Sequence, residues 1–149
     1  MKKLLSLVLV LSMALCFIGC GKKTETTYVT NMNGAEVKLT LYATGDVIKR
    51  IVQTSSISLD GLSDDDVKMV EEAIEELKGT YNAIDGVTYT SNTTDNSLTE
   101  TFDMDISKKK TLKALIENNL LPVSNKDADY LSLKATKEGL ESNGYTESK

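Results

Sequence analysis

Hydrophobic positions recur with two different periods along the chain. From residue 26 to about 59, and again from 87 to 106, apolar and polar residues alternate, as in strands with one buried and one exposed face. Asn33-Gly34 and Thr44-Gly45-Asp46 separate the first three segments, and such residues favour tight turns because they tolerate positive φ. The third segment has apolar residues on both parities, which indicates either a β-bulge or partial cover of both faces of the strand. The pattern predicts three strands, then two more.

An amphipathic helix is predicted between the two groups of strands. Ser63 suits the N-cap and Asp66 the N3 position of a capping box. The apolar residues that follow are spaced by 3, 4, 3 and 4, so they form one stripe: Val67, Val70, Ile74, Leu77 and Tyr81. We expect this whole stripe, Leu77 included, to be buried against the sheet.

The last third of the chain reads as helical. A short helix with Leu112, Leu115 and Ile116 ends before Pro122. A final helix over 131–143 is closed by Gly144. The predicted order is β-β-β-α-β-β-α-α, which indicates an α+β fold with an antiparallel sheet and helices packed on one face.

The N-terminus has the pattern of an export signal. Lys2 and Lys3 precede an apolar stretch over 4–18, which is too short for a membrane-spanning helix. The stretch ends in Gly19-Cys20 and resembles the lipobox of bacterial lipoproteins. We therefore predict cleavage between Gly19 and Cys20 and a lipid on Cys20 that holds the protein on a membrane.

These signals divide the chain into four parts. Residues 1–19 are the predicted signal peptide, and 20–25 are the lipidated cysteine with a polar tether. Residues 26–145 form a single α+β domain, and 146–149 form a polar tail.

Charge and residue types exclude several classes of function. Cleavage removes Lys2 and Lys3, so the formal charge goes from −5 to −7, and an acidic domain of this kind is not expected to bind nucleic acid. The chain has no histidine, and its two cysteines are Cys16 in the signal and Cys20. Histidine- or thiol-based catalysis is therefore excluded from the mature domain. We predict no cofactor, no metal site, no catalytic residue and no enzymatic activity.

Two groups of carboxylates are the alternatives to that view. Asp64, Asp65 and Asp66 do not match the spacing of an EF-hand loop, and the start of a helix explains them. Asp103 and Asp105 lie two apart on one strand face, where they would form a metal or acid/base pair or simply alternate with buried residues. The alternative function is a carboxylate-based hydrolase acting on an envelope polymer.

Hydroxyl-bearing side chains populate the exposed face of the predicted sheet. Thr40, Tyr42, Thr99 and Thr101 belong to this face, together with Thr88 and Thr90. Such residues are also good strand formers, so their presence alone does not require a function. The sharper hypothesis is an interaction surface for an envelope protein or a small ligand.

The chain resembles the YehR-like family of small bacterial lipoproteins. The resemblance is carried by the Gly19-Cys20 signal, by residues 33–37 followed by Gly45-Asp46, by the helix that ends near Tyr81, and by 143–145. It implies the fold, export and an anchor at Cys20, on the extracytoplasmic side of the cell membrane or outer membrane. It carries over no catalytic residue. The sequence thus predicts a membrane-anchored envelope lipoprotein that works as a non-enzymatic binding module.

Overall fold

Six strands form one antiparallel sheet in the computed structural model, which describes residues 21–32, 34–94 and 96–148. The strands are β1 (Lys23–Met32), β2 (Ala35–Thr44), β3 (Val47–Ser58), β4 (Val87–Thr93), β5 (Ser97–Asp105) and β6 (Thr146–Ser148). Their order in the sheet is β4-β5-β3-β2-β1-β6. The helices are α1 (Asp64–Asn82), α2 (Lys109–Glu117) and α3 (Leu133–Ser142). The predicted signal peptide, Gly19 and Cys20 lie outside the described residues.

The predicted turns join the first three strands. Met32 pairs with Ala35, so a two-residue loop separates β1 from β2, and Gly34 has a φ of 84°. A second two-residue loop joins Thr44 to Val47. Of the two explanations offered for the third segment, the structure shows the bulge in β3: Tyr42 pairs with Arg50 but Ala43 pairs with Ile48, which leaves Lys49 unpaired. The bulge shifts the side-chain alternation and explains why apolar residues fall on both parities.

All three helices pack on one face of the sheet. The main core joins that face to α2, whose Leu112 and Leu115 are fully buried. Its other buried members come mainly from the strands: Tyr28, Leu41, Ala43, Ile48, Ile51, Val87, Met104, Ile106 and Ile116. A smaller cluster of Leu59, Ile74, Tyr89 and Leu98 lies under α1. The α+β fold with helices on one face is therefore confirmed.

Helix α1 begins as predicted but buries less of its stripe. The Ser63 hydroxyl accepts the Asp66 N–H at 3.2 Å, and the Asp66 carboxylate accepts the Ser63 N–H at 3.2 Å. Ile74 is 6 % exposed, whereas Leu77 is 37 % exposed. The prediction that Leu77 is buried is wrong, because α1 lies over the β4–β5 edge and only a narrow line of its side chains reaches the sheet.

The predicted tether and tail are largely part of the sheet. Strand β1 begins at Lys23, and the Gly45 N–H donates to the Lys22 carbonyl at 3.0 Å, so the polar tether predicted over 20–25 is already part of the sheet from Lys22 onward. The predicted polar tail is polar and exposed, but Thr146–Ser148 also forms β6, which pairs with β1 and was not predicted. An edge strand is held by backbone hydrogen bonds, so it needs no apolar side chains that would reveal it in the sequence.

Candidate functional site

The residues predicted to form an interaction surface lie on the face of the sheet opposite the helices. Thr40 and Tyr42 belong to β2, and Thr99 and Thr101 belong to β5. Strand β3 separates the two pairs, so they do not contact each other directly. No helix within the described ranges covers this face, which we call the open face. Its use as an interaction surface stays a prediction.

Threonine hydroxyls on the open face pair with each other across strands. The Thr27 and Thr40 Oγ1 atoms lie 3.1 Å apart, and those of Thr54 and Thr101 lie 3.4 Å apart. Thr40 is only 7 % exposed, because Thr27 and Val52 flank it in register on the neighbouring strands. Thr40 therefore offers little of its own surface, whereas Tyr42 and Thr101 are half-buried and reachable.

Arg50 connects the two halves of the open face, and it was not among the residues predicted for that face. Its Nε lies 2.7 Å from Asp103 Oδ1, and the second guanidinium nitrogen contacts Oδ2 at 2.5 Å. The guanidinium carbon also lies 5.3 Å from the centroid of the Tyr42 ring, a cation–π distance. The result is a row of Tyr42, Arg50 and Asp103 across three strands. The signal in the sequence was the break in the apolar alternation of the third segment, which corresponds to the bulge that moves Arg50 onto this face.

The two carboxylates of β5 are engaged separately. Asp103 is held by Arg50, while Asp105 Oδ1 accepts the Ser107 hydroxyl at 2.6 Å and the Ser107 N–H at 3.1 Å. These bonds hold the pKa of the Asp105 carboxyl below its ordinary value, mainly through the hydroxyl. The structure therefore does not bring Asp103 and Asp105 together as an acid/base pair.

The acidic start of α1 has a structural explanation as well. The Ser63 hydroxyl and N–H donate to Asp66 and lower the pKa of its carboxyl. Across the described residues, no three acidic side chains are placed so that they could hold a metal ion together. The capping box accounts for Asp66 without a ligand.

Two surface depressions lie away from the predicted residues. One is at the β1–β6 edge and is lined by Val29, Thr30, Asn31, Glu36, Gly144 and Thr146. The other lies along the loop over 123–132 that precedes α3. Both open widely to solvent, so neither encloses a small molecule as ligand pockets usually do.

Comparison with known proteins decides the family. Residues 24–146 match the family described as a protein of unknown function, DUF1307. The chain belongs to this family. The match spans nearly all of the described fold, from the second residue of β1 to the first residue of β6.

Relatives and solved structures agree with that assignment. The uncharacterized lipoprotein Lmo0207 of Listeria monocytogenes is 29 % identical over 154 residues, which cover 99 % of this chain and 96 % of the relative. The solution structure of E. coli YehR has a TM-score of 0.67 at 19 % identity and covers 85 % of this chain and 91 % of its own. A Streptococcus pneumoniae protein has a TM-score of 0.53 at 14 % identity, covering 86 % of each chain. The resemblance to YehR-like lipoproteins is confirmed.

Within the described ranges, none of the helices combines the length and the apolar content that a membrane span requires.

Proposed function

We propose that this protein is an envelope lipoprotein, held on the outer side of a membrane by lipid on Cys20, which acts by binding a protein partner through its open face. The Gly19-Cys20 signal at the end of a short apolar stretch supports the anchor. The name of the Listeria relative, a lipoprotein that aligns with 99 % of this chain, supports it independently.

The observation that carries the binding role is the uncovered open face. Five strands spaced by about 4.8 Å, each contributing six or seven residues of about 3.3 Å, give a flat area of roughly 20 × 20 Å. This area of about 400 Å² is below the roughly 600–800 Å² of accessible surface that each partner contributes to a standard interface, so it suits a weak or transient protein contact. A flat surface of this size fits another protein better than a small ligand, which needs a concave site.

The chemistry of the open face also fits a protein partner. Its centre carries Tyr42 and Arg50, two residue types that are enriched where interfaces gain most of their binding energy. Asp103 orients the guanidinium, and the surrounding threonine hydroxyls supply donors and acceptors at the rim. A partner with complementary carbonyl, carboxylate and aromatic groups would match this row.

A binding role is supported by the state of the carboxylates. A general acid in a hydrolase needs a carboxyl group whose pKa is raised by burial. The pKa of Asp105 is lowered instead, and Asp103 is bound to Arg50 in a half-exposed ion pair. The carboxylate-based hydrolase is therefore the weaker alternative.

Site-specific photocrosslinking in the native envelope tests the proposal. A photoreactive residue at Tyr42 should give discrete protein adducts, and Thr101→Asp in the same chain should reduce them at least several-fold. As a control, the photoreactive residue is placed at Tyr130, an exposed tyrosine beside the second depression. Any adducts formed there should not change with Thr101→Asp. Fractionation provides the second readout, since Cys20→Ser should release exported protein from the membrane.

Three results would contradict the proposal. Membrane attachment that survives Cys20→Ser would remove the anchor. Adducts at Tyr42 that are unchanged by Thr101→Asp would exclude the open face as the binding surface. Loss of the protein adducts with Asp105→Asn, but not with Thr101→Asp, would favour the carboxylate alternative.

A further inference from the structure

The end of the sheet that follows Cys20 has almost no tether. The Lys22 carbonyl already accepts the Gly45 N–H at 3.0 Å. Gly21 is packed so closely that a Cβ atom there would lie 2.7 Å from the Gly45 nitrogen. Because one residue spans at most about 3.6 Å, a lipid on Cys20 would place the β2–β3 turn within about 7 Å of the attachment point. This end of the fold therefore has to face the headgroups.

Lysines from four segments of the chain meet at this same end. We call them the basal rim: Lys22, Lys23, Lys49, Lys108, Lys109, Lys110 and Lys134, all of which are exposed. Residues 108–110 follow the end of β5, where Asp105 pairs with Arg50 beside the bulged Lys49. Lys134 is tied to the β2–β3 turn, because its N–H donates to Asp46 Oδ1 at 2.8 Å. With strands about 4.8 Å apart, the rim spans roughly 20 Å.

Carboxylates at this end only partly neutralise the rim. Asp85 lies 3.7 Å from Lys108, and Asp129 lies 2.7 Å from Lys109. Asp46 is occupied by the Ser132 hydroxyl and the start of α3. With Glu25 and Asp105 also counted, five carboxylates face seven lysines. Lys23, Lys49 and Lys110 form no salt bridge with any residue that the structure describes.

The opposite charge is concentrated away from the anchor. Helix α1 carries seven acidic residues and two lysines, and it starts from the far end of the sheet, after β3 has crossed it. The chain after Gly19 has a formal charge of −7, so a positive rim leaves the remainder strongly negative. This separation of charge along the strands gives the fold a basic pole and an acidic pole.

We propose that the basal rim docks on anionic lipid headgroups beside the anchor and holds the strands close to the membrane normal. The inference rests on the proposed lipid at Cys20. Anionic lipids attract the rim and repel α1. The attraction acts within a Debye length of about 8 Å, and the short link to Cys20 keeps the rim within that distance of the headgroups. The plane of the open face then stands perpendicular to the bilayer, so that a neighbouring envelope protein can reach it from the side.

The height of the β1–β2 hairpin above the bilayer tests this orientation. Met32 lies at its tip and is exposed, and a cysteine placed there is the only free thiol of the lipidated chain, since the sequence has cysteines only at 16 and 20. A donor dye on Met32→Cys is read against acceptor dyes on the headgroups of phosphatidylcholine vesicles, with and without phosphatidylglycerol. Nine residues of β1 at about 3.3 Å predict a height of roughly 30 Å in the anionic vesicles. A lower mean height and higher energy transfer are expected in the neutral vesicles.

Two triple variants with the same change in net charge separate the rim from general electrostatics. Lys23→Glu, Lys49→Glu and Lys110→Glu together should abolish the difference between the two kinds of vesicle. Lys38→Glu, Lys68→Glu and Lys78→Glu, at exposed positions away from the anchor, should preserve it. Added salt should reduce the difference in the parent chain.

The outcomes distinguish the inference from the proposal on which it rests. If the chain fails to float with either kind of vesicle, the anchor is wrong and the docking falls with it. If it floats with both and its height ignores lipid charge, only the docking is overturned. The docking would also be overturned if the two triple variants showed the same dependence of height on lipid charge. A height of residue 32 that changes only when a soluble anionic polymer is added would overturn it as well.

Discussion

Replacing Ile74 or Leu77 by alanine tests how α1 meets the sheet. Both side chains belong to the same sequence stripe, and each substitution removes three carbon atoms. Ile74 is 6 % exposed and contacts the cluster under α1, whereas Leu77 is 37 % exposed. The structure therefore predicts unequal costs at two positions that the sequence treats alike.

The expected magnitudes follow from burial. At about 0.8 kcal/mol per buried methylene, Ile74→Ala loses about 2.4 kcal/mol, and the residual cavity raises the cost to about 2.5–4 kcal/mol. Leu77 has about three fifths of its surface buried and leaves no closed cavity. Its loss is about 1.5 kcal/mol, and the slightly better helix propensity of alanine reduces the cost to about 1 kcal/mol.

Urea unfolding of the Cys20→Ser chain measures both. The chain has no tryptophan, so helical circular dichroism is the natural probe. With a slope of about 2 kcal/mol/M, the two midpoints should differ by about 0.5–1.5 M. Glu76→Ala, on the solvent side of α1, should stay within about 0.5 kcal/mol of the parent. Equal costs at Ile74 and Leu77, or a larger cost at Leu77, would refute the described packing of α1.

Two further predictions concern a turn and a buried phenol. Gly86→Ala should lower the free energy of unfolding clearly more than Gly144→Ala. Both residues have φ near 85°, which costs alanine about 1–2 kcal/mol at either position, but only at Gly86 would the new Cβ lie 2.9 Å from Thr111 Oγ1. Equal unfolding midpoints of the two variants would contradict this. Burial and the neighbouring Glu147 and Glu141 raise the pKa of Tyr28 to about 12, so its share of the stability is complete below pH 10 and is lost as pH rises through 12. Tyr28→Phe should therefore flatten the alkaline fall by about 2–3 kcal/mol, and parallel unfolding profiles from pH 9 to 12 would exclude that role.

Local features of the chain were predictable because their causes are local. Gly34 and Gly45 adopt the positive φ that tight hairpins require, and Ser63 and Asp66 form the expected capping box. The alternation along β5 places Phe102 and Met104 on the core face and Thr101 and Asp103 on the other. Each of these depends on residues only a few positions apart, so turn chemistry and periodicity were enough.

The tertiary structure alone decided which distant segments meet. Arg50 binds Asp103, although Asp105 is its direct partner in the strand register, so even the correct pairing of strands would have suggested the wrong carboxylate. Strand β6 exists because α3 returns the chain to the free edge of β1, and no side-chain pattern marks it. The basal rim forms because four segments of the chain meet at one end of the sheet. Strand order, register and helix placement are long-range properties of the packed core, and a periodic pattern in one segment contains no information about which neighbour it will have.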